Sequence, residues 1–516
     1  MMETSFTGLH SRFLRGLELS ADGVAVQVGG QALGYARLHD LALLWGGALA
    51  DSGARTVGVL AAKGVTAYAG ILAGLYAGAT VVPLRPDFPA ARTAQMIDAA
   101  EVDAVIADAR GFALLPEVLG ARRPAVLAPE CAGGPSVLRP LDSQALAAPR
   151  SVSPKDTAYV LFTSGSTGRP KGVRIGHGAA DHYFGLLDAR YDFSPDDVFS
   201  QTFDLNFDCA MFDLFCAWGA GARAVVLPPA AYRGLPAFAA EHGLTVWFST
   251  PSAIDLVRRT GGLAPGAMPG LRWSFFAGEA LNVRDTADWR TAASSSIVEN
   301  LYGPTELTIT VAGYRWDDEE TPRVAVNGVV PIGAVHAGHD FVLLAENDAE
   351  AGTEAGAEGE LCIAGPQLTP GYLDPADERG RFVERDGCRF YRTGDRVRRL
   401  RGGDLAYLGR LDSQVQVLGW RVELTEVEHA LRDCGVRDAV ALGVATELGT
   451  ELFVFYTGPE RPVIELVRAL RRVLPEGVIP RRYRNVVEFP LNANRKIDRK
   501  ALAAEAAGLL APAPVG

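Results

Sequence analysis

The chain has 516 residues, too many for one hydrophobic core of ordinary size, so we expect at least two domains. With 48% hydrophobic and 22% charged residues, its composition is typical of a globular protein and excludes a fibrous or disordered one. The formal net charge of -11, without a dense run of lysine and arginine, argues against nucleic acid as the main partner.

Neither a secretory signal nor a membrane span is predicted. The first residues lack the basic stretch and apolar run of a signal peptide. Residues 64–84 are apolar but contain Gly70, Gly74, Gly78 and Pro83, so a buried helix that runs into a strand is expected there. The six cysteines have neither metal-site nor disulfide spacing, which indicates a reducing compartment, and we predict a cytoplasmic protein without a membrane partner.

In chain order, the first 400 residues alternate short apolar strands with helical stretches, as α/β domains do. The predicted strands cover residues 56–60, 104–107, 158–163, 224–227 and 245–249. From about residue 325, strands punctuated by glycine at 341–345, 359–364 and 390–391 predict a β-rich subdomain. A final compact segment from about residue 409 is predicted to hold a helix at 424–434, a strand at 452–456 and a helix at 463–473.

The most informative stretch is residues 161–172, with the sequence LFTSGSTGRPKG. An apolar strand runs into a loop of glycines and hydroxyl residues that ends at a lysine. Glycine lets backbone N–H groups turn towards an anion, while hydroxyls add donors and lysine adds a point charge. The loop differs from the Walker arrangement, in which lysine directly follows the second glycine. The predicted phosphate-binding residues are Thr163, Ser164, Gly165, Ser166, Thr167, Gly168 and Lys171.

This loop resembles the phosphate loop of the adenylate-forming superfamily, which includes nonribosomal-peptide adenylation domains, acyl-CoA synthetases and luciferases. The resemblance covers essentially the whole chain in the family's order, through residues 302–306 (YGPTE), 391–395 (YRTGD), 409–412 (GRLD) and 494–499 (NRKIDR). It implies an α/β fold in which domain 1–410 has two α/β sheet subdomains and a β-rich subdomain. A small mobile α+β domain, 411–516, would follow a hinge at Asp412.

The same resemblance implies roles in binding ATP and Mg²⁺. Tyr302 and Gly303 would contact adenine, Asn300 the base edge, and Asp395 with Arg410 the ribose. Thr305 would hold the α-phosphate, and Glu306 would be the Mg²⁺ ligand, since Mg²⁺ takes one or two carboxylates. Lys496 would lie between the substrate carboxylate and the α-phosphate, where it would stabilise the charge that develops during attack.

Residues 203–213 (FDLNFDCAMFD) resemble the segment that opens the acyl pocket of amino-acid-activating members. Asp208 falls where the family pairs a carboxylate with the substrate ammonium, whereas Asp204 and Asp213 are interpreted as structural. By the same register the pocket walls are Cys209, Phe212, Phe248, Phe275, Ala277, Leu301, Ile309 and Thr310. These walls carry no charge and predict an amino acid with a small to medium apolar side chain, its amine either α or β to the carboxylate.

Only eighteen residues follow Asp498, too few for a carrier domain, so the expected acceptor is a separate carrier protein with a phosphopantetheine arm. The resemblance places such enzymes in the biosynthesis of nonribosomal peptides or polyketide macrolactams. The enzymatic alternative is an acyl-CoA or fatty-acyl-AMP ligase that acts on a carboxylic acid without an amine. A binding protein without catalysis is disfavoured because Lys171, Thr305, Glu306, Asp395 and Lys496 occur together.

Overall fold

The computed structural model describes residues 8–131, 138, 140–165, 168–345, 347–412, 414–446, 449–490 and 497–510. The chain forms two compact units. The first comprises Met1–Pro86, Ile97–Phe162 and Gly172–Gly409, and the second comprises Asp87–Met96, Thr163–Lys171 and Arg410–Gly516.

Strands β1 to β20 lie almost entirely in the first unit. In chain order they are β1 (Val24–Val28), β2 (Gln31–Gly34), β3 (Thr56–Leu60), β4 (Thr80–Leu84), β5 (Ala104–Ala107), β6 (Ala125–Leu127), β7 (Thr157–Thr163), β8 (Lys171–Gly176), β9 (Val198–Gln201), β10 (Arg223–Val226), β11 (Val246–Ser249), β12 (Trp273–Phe276), β13 (Ile297–Tyr302), β14 (Ala312–Arg315), β15 (Ala334–Val335), β16 (Asp340–Leu344), β17 (Glu358–Ala364), β18 (Phe382–Arg385), β19 (Cys388–Arg399) and β20 (Leu405–Arg410).

Eleven α-helices are interspersed with these strands in the part of the chain that the structure describes. They are α1 (Ser11–Leu19), α2 (Tyr35–Asp51), α3 (Val65–Tyr76), α4 (Ala90–Ala99), α5 (Ala109–Leu119), α6 (His177–Arg190), α7 (Cys209–Ala220), α8 (Leu235–His242), α9 (Ser252–Arg259), α10 (Val283–Ala292) and α11 (Thr321–Val324). Helix α3 followed by strand β4 confirms the helix-then-strand prediction for residues 64–84.

Three sheets organise the first unit. A six-stranded sheet has the order β6-β5-β3-β4-β7-β8, and a nine-stranded sheet has the order β15-β14-β13-β12-β11-β9-β10-β1-β2. In the nine-stranded sheet, the six central strands are parallel: β1, β10, β9, β11, β12 and β13. Strand β2 pairs antiparallel with β1 at one edge, and β14 and β15 add antiparallel pairs at the other. The third sheet has the order β16-β17-β19-β18, with β20 paired to β19.

The sequence explains this division of strand types. Strands β3 and β5 are apolar along nearly their whole length, as expected of parallel strands covered on both faces. Strand β17 belongs to the antiparallel, glycine-punctuated region predicted after residue 325. The predicted fold class, α/β with a β-rich subdomain, is therefore confirmed.

Helix α7 lies at the centre of the first unit, because all twelve of its residues are buried. Its sequence, CAMFDLFCAWGA, is apolar apart from Asp213, which is the pattern of a helix enclosed on all sides rather than at a surface. It begins directly after Asp208, which is half-buried.

The second unit has a hairpin and a three-stranded sheet with helices. Its strands are β21 (Gln414–Val417), β22 (Trp420–Glu423), β23 (Asp438–Thr446), β24 (Gly449–Thr457) and β25 (Arg482–Asn485), and its helices are α12 (Leu424–Asp433), α13 (Val463–Leu470) and α14 (Arg499–Leu510). Helix α13 ends at Leu470, three residues before the predicted end at residue 473, and residues 471–473 form turns.

No helix among the described residues is long and apolar enough to cross a membrane. All six cysteines are free thiols, as their spacing predicts.

A buried carboxylate holds the antiparallel edge of the nine-stranded sheet. Glu299 on β13 is fully buried and accepts hydrogen bonds from Tyr191 Oη at 2.8 Å, Arg190 at 2.9 Å and Arg315 Nε at 3.0 Å. Replacement of Glu299 by leucine leaves the buried Tyr191 hydroxyl without its acceptor. We expect the free energy of unfolding, measured by urea denaturation, to fall by about 3 kcal/mol.

Glu358, which is bonded to Arg396 and Arg398 at the surface, is the control. Replacement of Glu358 by leucine should cost under about 1 kcal/mol, because exposed ion pairs stabilise little. Equal losses in both variants would contradict the assigned role of Glu299.

Candidate active site

Asp208 lies at the N-terminal end of α7, where the helix dipole favours a negative charge. The Thr305 hydroxyl donates a hydrogen bond to Asp208 Oδ2 at 2.7 Å. Burial raises the pKa of the Asp208 carboxyl, and the hydrogen bond from Thr305 only partly opposes that effect. Without a ligand, the site therefore holds a half-buried acid that accepts hydrogen bonds from neutral donors and would be stabilised by a cation.

The predicted wall residues lie together in one hydrophobic core. Phe212 contacts Phe248 and Phe275 edge to face, with ring centroids 4.7 Å and 5.3 Å apart. Phe203, which was not predicted as a wall residue, contacts Phe248 at 4.8 Å. The remaining predicted walls, Cys209, Ala277, Leu301 and Ile309, are buried in the same core. Four phenylalanine rings in contact leave little room for a long side chain.

The wall residue Ile309 has an unusual backbone conformation. Thr308 and Ile309 have φ values of 55° and 71°, in the left-handed region that β-branched residues rarely adopt. Consecutive residues in this region are held only where the surroundings over-determine them, as at ligand-binding sites.

Gln367 supplies much of that constraint. Its fully buried amide Nε2 donates to the carbonyls of Leu307 at 3.0 Å, Thr308 at 3.2 Å and Thr310 at 2.9 Å. The Thr308 hydroxyl in turn donates to the main-chain carbonyl of Gln367 at 2.7 Å. These four hydrogen bonds, called the Gln367 clamp below, hold the segment that contains the predicted wall residues Ile309 and Thr310. The sequence analysis did not predict them.

Gly303 is required for the close approach of this wall segment. A Cβ at Gly303 would lie 2.6 Å from Thr310 Cα and 2.7 Å from the Ile309 carbonyl oxygen, both backbone atoms that cannot move aside easily. The predicted wall residue Thr310 is itself buried and shares a 2.9 Å hydrogen bond with the Tyr183 hydroxyl. Gly303 therefore has a packing role in the structure, beside the adenine contact predicted for it.

Glu306 directly follows Thr305 and is buried, with Tyr372 Oη donating to its Oε1 at 2.6 Å. Tyr372 was not predicted as a site residue. No cluster of three metal-ligating side chains exists among the described residues. A single buried carboxylate beside Thr305, the hydroxyl predicted to hold the α-phosphate, fits Mg²⁺, which binds in nucleotide sites through one or two carboxylates and the phosphates themselves.

Apart from Arg410, the residues predicted to hold the nucleoside also lie in the first unit. Tyr302 Oη donates to Asp395 Oδ2 at 2.6 Å, so the predicted adenine and ribose residues are in direct contact. Asn300 is buried, and its amide donates to the carbonyls of Val330 at 3.3 Å and Pro331 at 2.9 Å. Because those donors are engaged, Asn300 can face a base edge only through its carbonyl oxygen.

The predicted phosphate loop, Thr163–Lys171, belongs to the second unit. Gly165 is required sterically, since a Cβ there would lie 2.1 Å from the Arg169 carbonyl oxygen, and Gly168 has a φ of 78°. Ser164 Oγ donates to the Arg421 carbonyl at 2.6 Å and accepts from the Glu423 N–H at 3.1 Å. Ser164 therefore makes backbone contacts with β22, in addition to its predicted phosphate role.

In the same unit, Arg410 contacts Asp412 with two nitrogens, at 3.0 Å and 2.6 Å, and also Gln414 Oε1 at 2.6 Å. The predicted ribose ligand and the predicted hinge residue thus form an ion pair within this unit. Thr163 is the last residue of β7, and Lys171 is a buried residue at the start of β8. The predicted residues Ser166, Thr167 and Lys496 lie outside the described residues.

Comparisons with known proteins agree on one family. The family model for AMP-binding enzymes matches residues 15–373. The L-proline–[L-prolyl-carrier protein] ligase of Streptomyces coelicolor is 35% identical over 457 residues, which cover 84% of this chain and 84% of that protein.

Two solved structures extend the comparison over nearly the whole chain. The crystal structure of IdnL7 has 58% sequence identity and a TM-score of 0.77, covering 98% of this chain and 100% of that one. The Vibrio cholerae adenylation domain AlmE, in complex with glycyl-adenosine-5'-phosphate, has 27% identity and a TM-score of 0.87, covering 97% of this chain and 98% of that one.

Partial desolvation of Asp208 should lower the stability of the ligand-free protein by a measurable amount. Its folded-state pKa is raised, so the folded state binds more protons than the unfolded state above the usual carboxyl value of about 3.9. The contribution of Asp208 to stability therefore falls as pH rises from about 3.9 through the raised pKa. Replacement by asparagine keeps an acceptor for Thr305 and removes the charge.

We expect Asp208→Asn to raise the free energy of unfolding at pH 8 by about 1 kcal/mol in the absence of ligands. Urea denaturation at several pH values checks this expectation. The advantage of the variant should shrink as the pH falls towards 4, and a loss of stability at pH 8 would contradict the prediction.

Proposed function

The chain belongs to the AMP-binding enzyme family, and on that premise we propose that it activates an amino acid as its acyl-AMP and transfers it to a carrier protein. The acceptor is the phosphopantetheine thiol of a separate carrier. The reaction serves nonribosomal peptide or polyketide macrolactam biosynthesis.

The half-buried Asp208 carboxylate is the observation that carries this proposal. A carboxylate beside an apolar core, held by neutral donors such as Thr305, loses part of its hydration, and a cation compensates for that loss. The ammonium group of an amino acid supplies that cation. A substrate without an amine would leave the acid unpaired beside an acyl chain, which disfavours the acyl-CoA or fatty-acyl-AMP ligase alternative.

The aromatic wall supports a small to medium apolar side chain. Contacts among Phe203, Phe212, Phe248 and Phe275 occupy the space that a long chain would need. The relatives carry compact amino acids: the Streptomyces coelicolor protein is an L-proline–[L-prolyl-carrier protein] ligase, and AlmE is in complex with glycyl-adenosine-5'-phosphate. We propose an α-amino acid of this size, with a β-amino acid as the alternative, because the amine shifts by only about 1.5 Å between them.

The nucleotide half of the site uses the residues that the sequence predicts. Tyr302 and Gly303 lie against adenine with Asn300 at the base edge, Asp395 and Arg410 bind the ribose, and the loop from Thr163 to Lys171 holds the phosphates. Thr305 holds the α-phosphate. Glu306 would hold Mg²⁺, which neutralises phosphate charge when bound.

The chemistry needs little acid–base catalysis, because the substrate carboxylate is already a nucleophile at neutral pH. A carboxylate oxygen attacks the α-phosphorus of ATP, the bond to the β-phosphate oxygen breaks, and pyrophosphate leaves. Lys496 stabilises the charge of this step, and Asp412 is the hinge for the second one. In that second step the thiolate attacks the acyl carbonyl carbon, and AMP leaves with the bonding electrons.

Substrate-dependent ATP–pyrophosphate exchange tests the first half-reaction. The panel is glycine, alanine, proline, valine, phenylalanine, β-alanine, 3-aminobutanoate and the unaminated acids propanoate and butanoate. We expect exchange with small apolar amino acids, and a loss in kcat/KM of at least about 100-fold in Asp208→Asn, because a buried ion pair is lost. Exchange with unaminated acids alone, equal in both enzymes, would move the protein to the acyl-ligase class.

Intact-protein mass spectrometry tests the second half-reaction. With ATP and the preferred amino acid, a holo-carrier protein supplied in trans should gain the mass of one aminoacyl group, whereas the apo-carrier, which lacks the thiol, should gain nothing. Acylation of coenzyme A at the same rate as the holo-carrier would contradict the assignment of the acceptor.

A further inference from the structure

Lys63 is a charged residue in a place that costs it hydration. It lies in the loop between β3 and α3 and is half-buried. Its Nζ donates to the main-chain carbonyls of Thr202 at 3.0 Å and Gln201 at 3.5 Å. Burial lowers the pKa of the Lys63 ammonium, and the nearby Asp204 and Asp213 oppose that effect only in part. A charge in such a place requires a reason, because a lysine at the surface would lose no hydration.

The carbonyls bound by this lysine belong to the segment at the end of β9, Gln201–Asp204, called the Phe203 loop below. Two other elements also bind this loop. The Thr202 N–H donates to Asp213 Oδ2 on α7 at 3.2 Å, and the Thr202 hydroxyl donates to the Phe248 carbonyl on β11 at 2.5 Å. Hydrogen bonds with three different elements therefore set the position of Thr202 and, through the chain, of the residue that follows it.

Phe203 is the accessible ring of the aromatic wall. Phe212, Phe248 and Phe275 are each at most 1% exposed, whereas Phe203 is half-buried. Its ring contacts that of Phe248, with the ring centroids 4.8 Å apart. A ligand can therefore touch Phe203 without displacing the other three rings.

The Phe203 loop leads directly to the proposed amine site. The Phe207 N–H donates to the Asp204 carbonyl at 2.9 Å, so that a single turn separates Phe203 from Asp208. Asp208 is half-buried, as Phe203 is. A shift of the loop therefore changes the distance between the carboxylate that would hold the amine and the ring that would meet the substrate side chain.

We propose that Lys63 determines specificity through Phe203, because it holds the Phe203 loop where the ring limits the size of the substrate side chain. This inference rests on the proposed function, since it requires an acyl pocket with these walls. Lys63 needs no contact with the substrate for this role. Its long side chain supplies a donor that reaches from the loop after β3 to the main chain at the end of β9.

The ratio of kcat/KM for phenylalanine to that for alanine in ATP–pyrophosphate exchange measures this size limit. We expect Phe203→Ala to raise the ratio at least about tenfold, because the ring is removed. Lys63→Met keeps the length of the side chain and removes the donor. It should raise the ratio about threefold or more, the fold-change that corresponds to one typical hydrogen bond, while the KM for ATP stays unchanged.

The double variant Lys63→Met/Phe203→Ala separates a positioning role from a general loss of structure. If Lys63 acts through the ring, the ratio in the double variant should equal that in Phe203→Ala within about twofold. Lys155→Met removes an exposed lysine of the same unit and, as the control, should leave the ratio unchanged. A ratio that is the product of the two single effects would overturn the inference, as would an unchanged ratio in Lys63→Met.

Thr202→Val provides the test if Lys63→Met does not fold. Valine keeps the β-branched shape and removes the hydrogen bond to the Phe248 carbonyl, so the ratio should rise in this variant too. An unchanged ratio would show that the position of the loop does not limit side-chain size. The proposed function fails by a different result, exchange of the wild type with unaminated acids alone, and 3-phenylpropanoate against propanoate then measures the size limit.

Discussion

The organisation of the proposed site depends on one electrostatic constraint, a carboxylate that is only partly exposed to water. Asp208 is half-buried and immediately precedes α7, whose residues are all buried. It accepts a hydrogen bond from the neutral Thr305 hydroxyl, and a neutral donor compensates a desolvated charge only in part. We propose that the remaining cost gives the site its selectivity, since a ligand that carries a positive charge recovers it.

The same contact joins the two halves of the proposed reaction. Thr305 bonds to the acid assigned to the amine, and its sequence neighbour Glu306 is the proposed ligand of Mg²⁺. Two consecutive residues, Thr305 and Glu306, therefore connect the proposed amine site with the proposed phosphate site. That segment is backed by contacts from the β-rich part of the first unit, where Tyr372 bonds to Glu306 and Gln367 holds the following residues. Precision at the reacting atoms thus comes from residues far away in the chain.

Much of the fold could be predicted from periodicity, since the alternation of apolar strands and helices indicated the α/β class. The motifs predicted a site, and the segment around Asp208 predicted its pocket. The Gln367 clamp could not be predicted, because its partners lie almost sixty positions earlier in the chain and an isolated glutamine carries no local signal. The positive φ angles of Thr308 and Ile309 were equally hidden, since β-branched residues normally argue against that conformation.

The left-handed backbone of Ile309 affects how the proposed amino-acid pocket can change its substrate range in evolution. Ile309, a predicted wall residue of the amino-acid pocket, occupies a backbone region that glycine adopts without strain. A change from isoleucine to glycine at this position would enlarge the cavity and relieve the backbone at the same time. Most mutations that enlarge a binding site cost stability, whereas here the two effects oppose each other. A substitution at position 309 could therefore admit bulkier substrates during evolution without compensating mutations elsewhere in the protein.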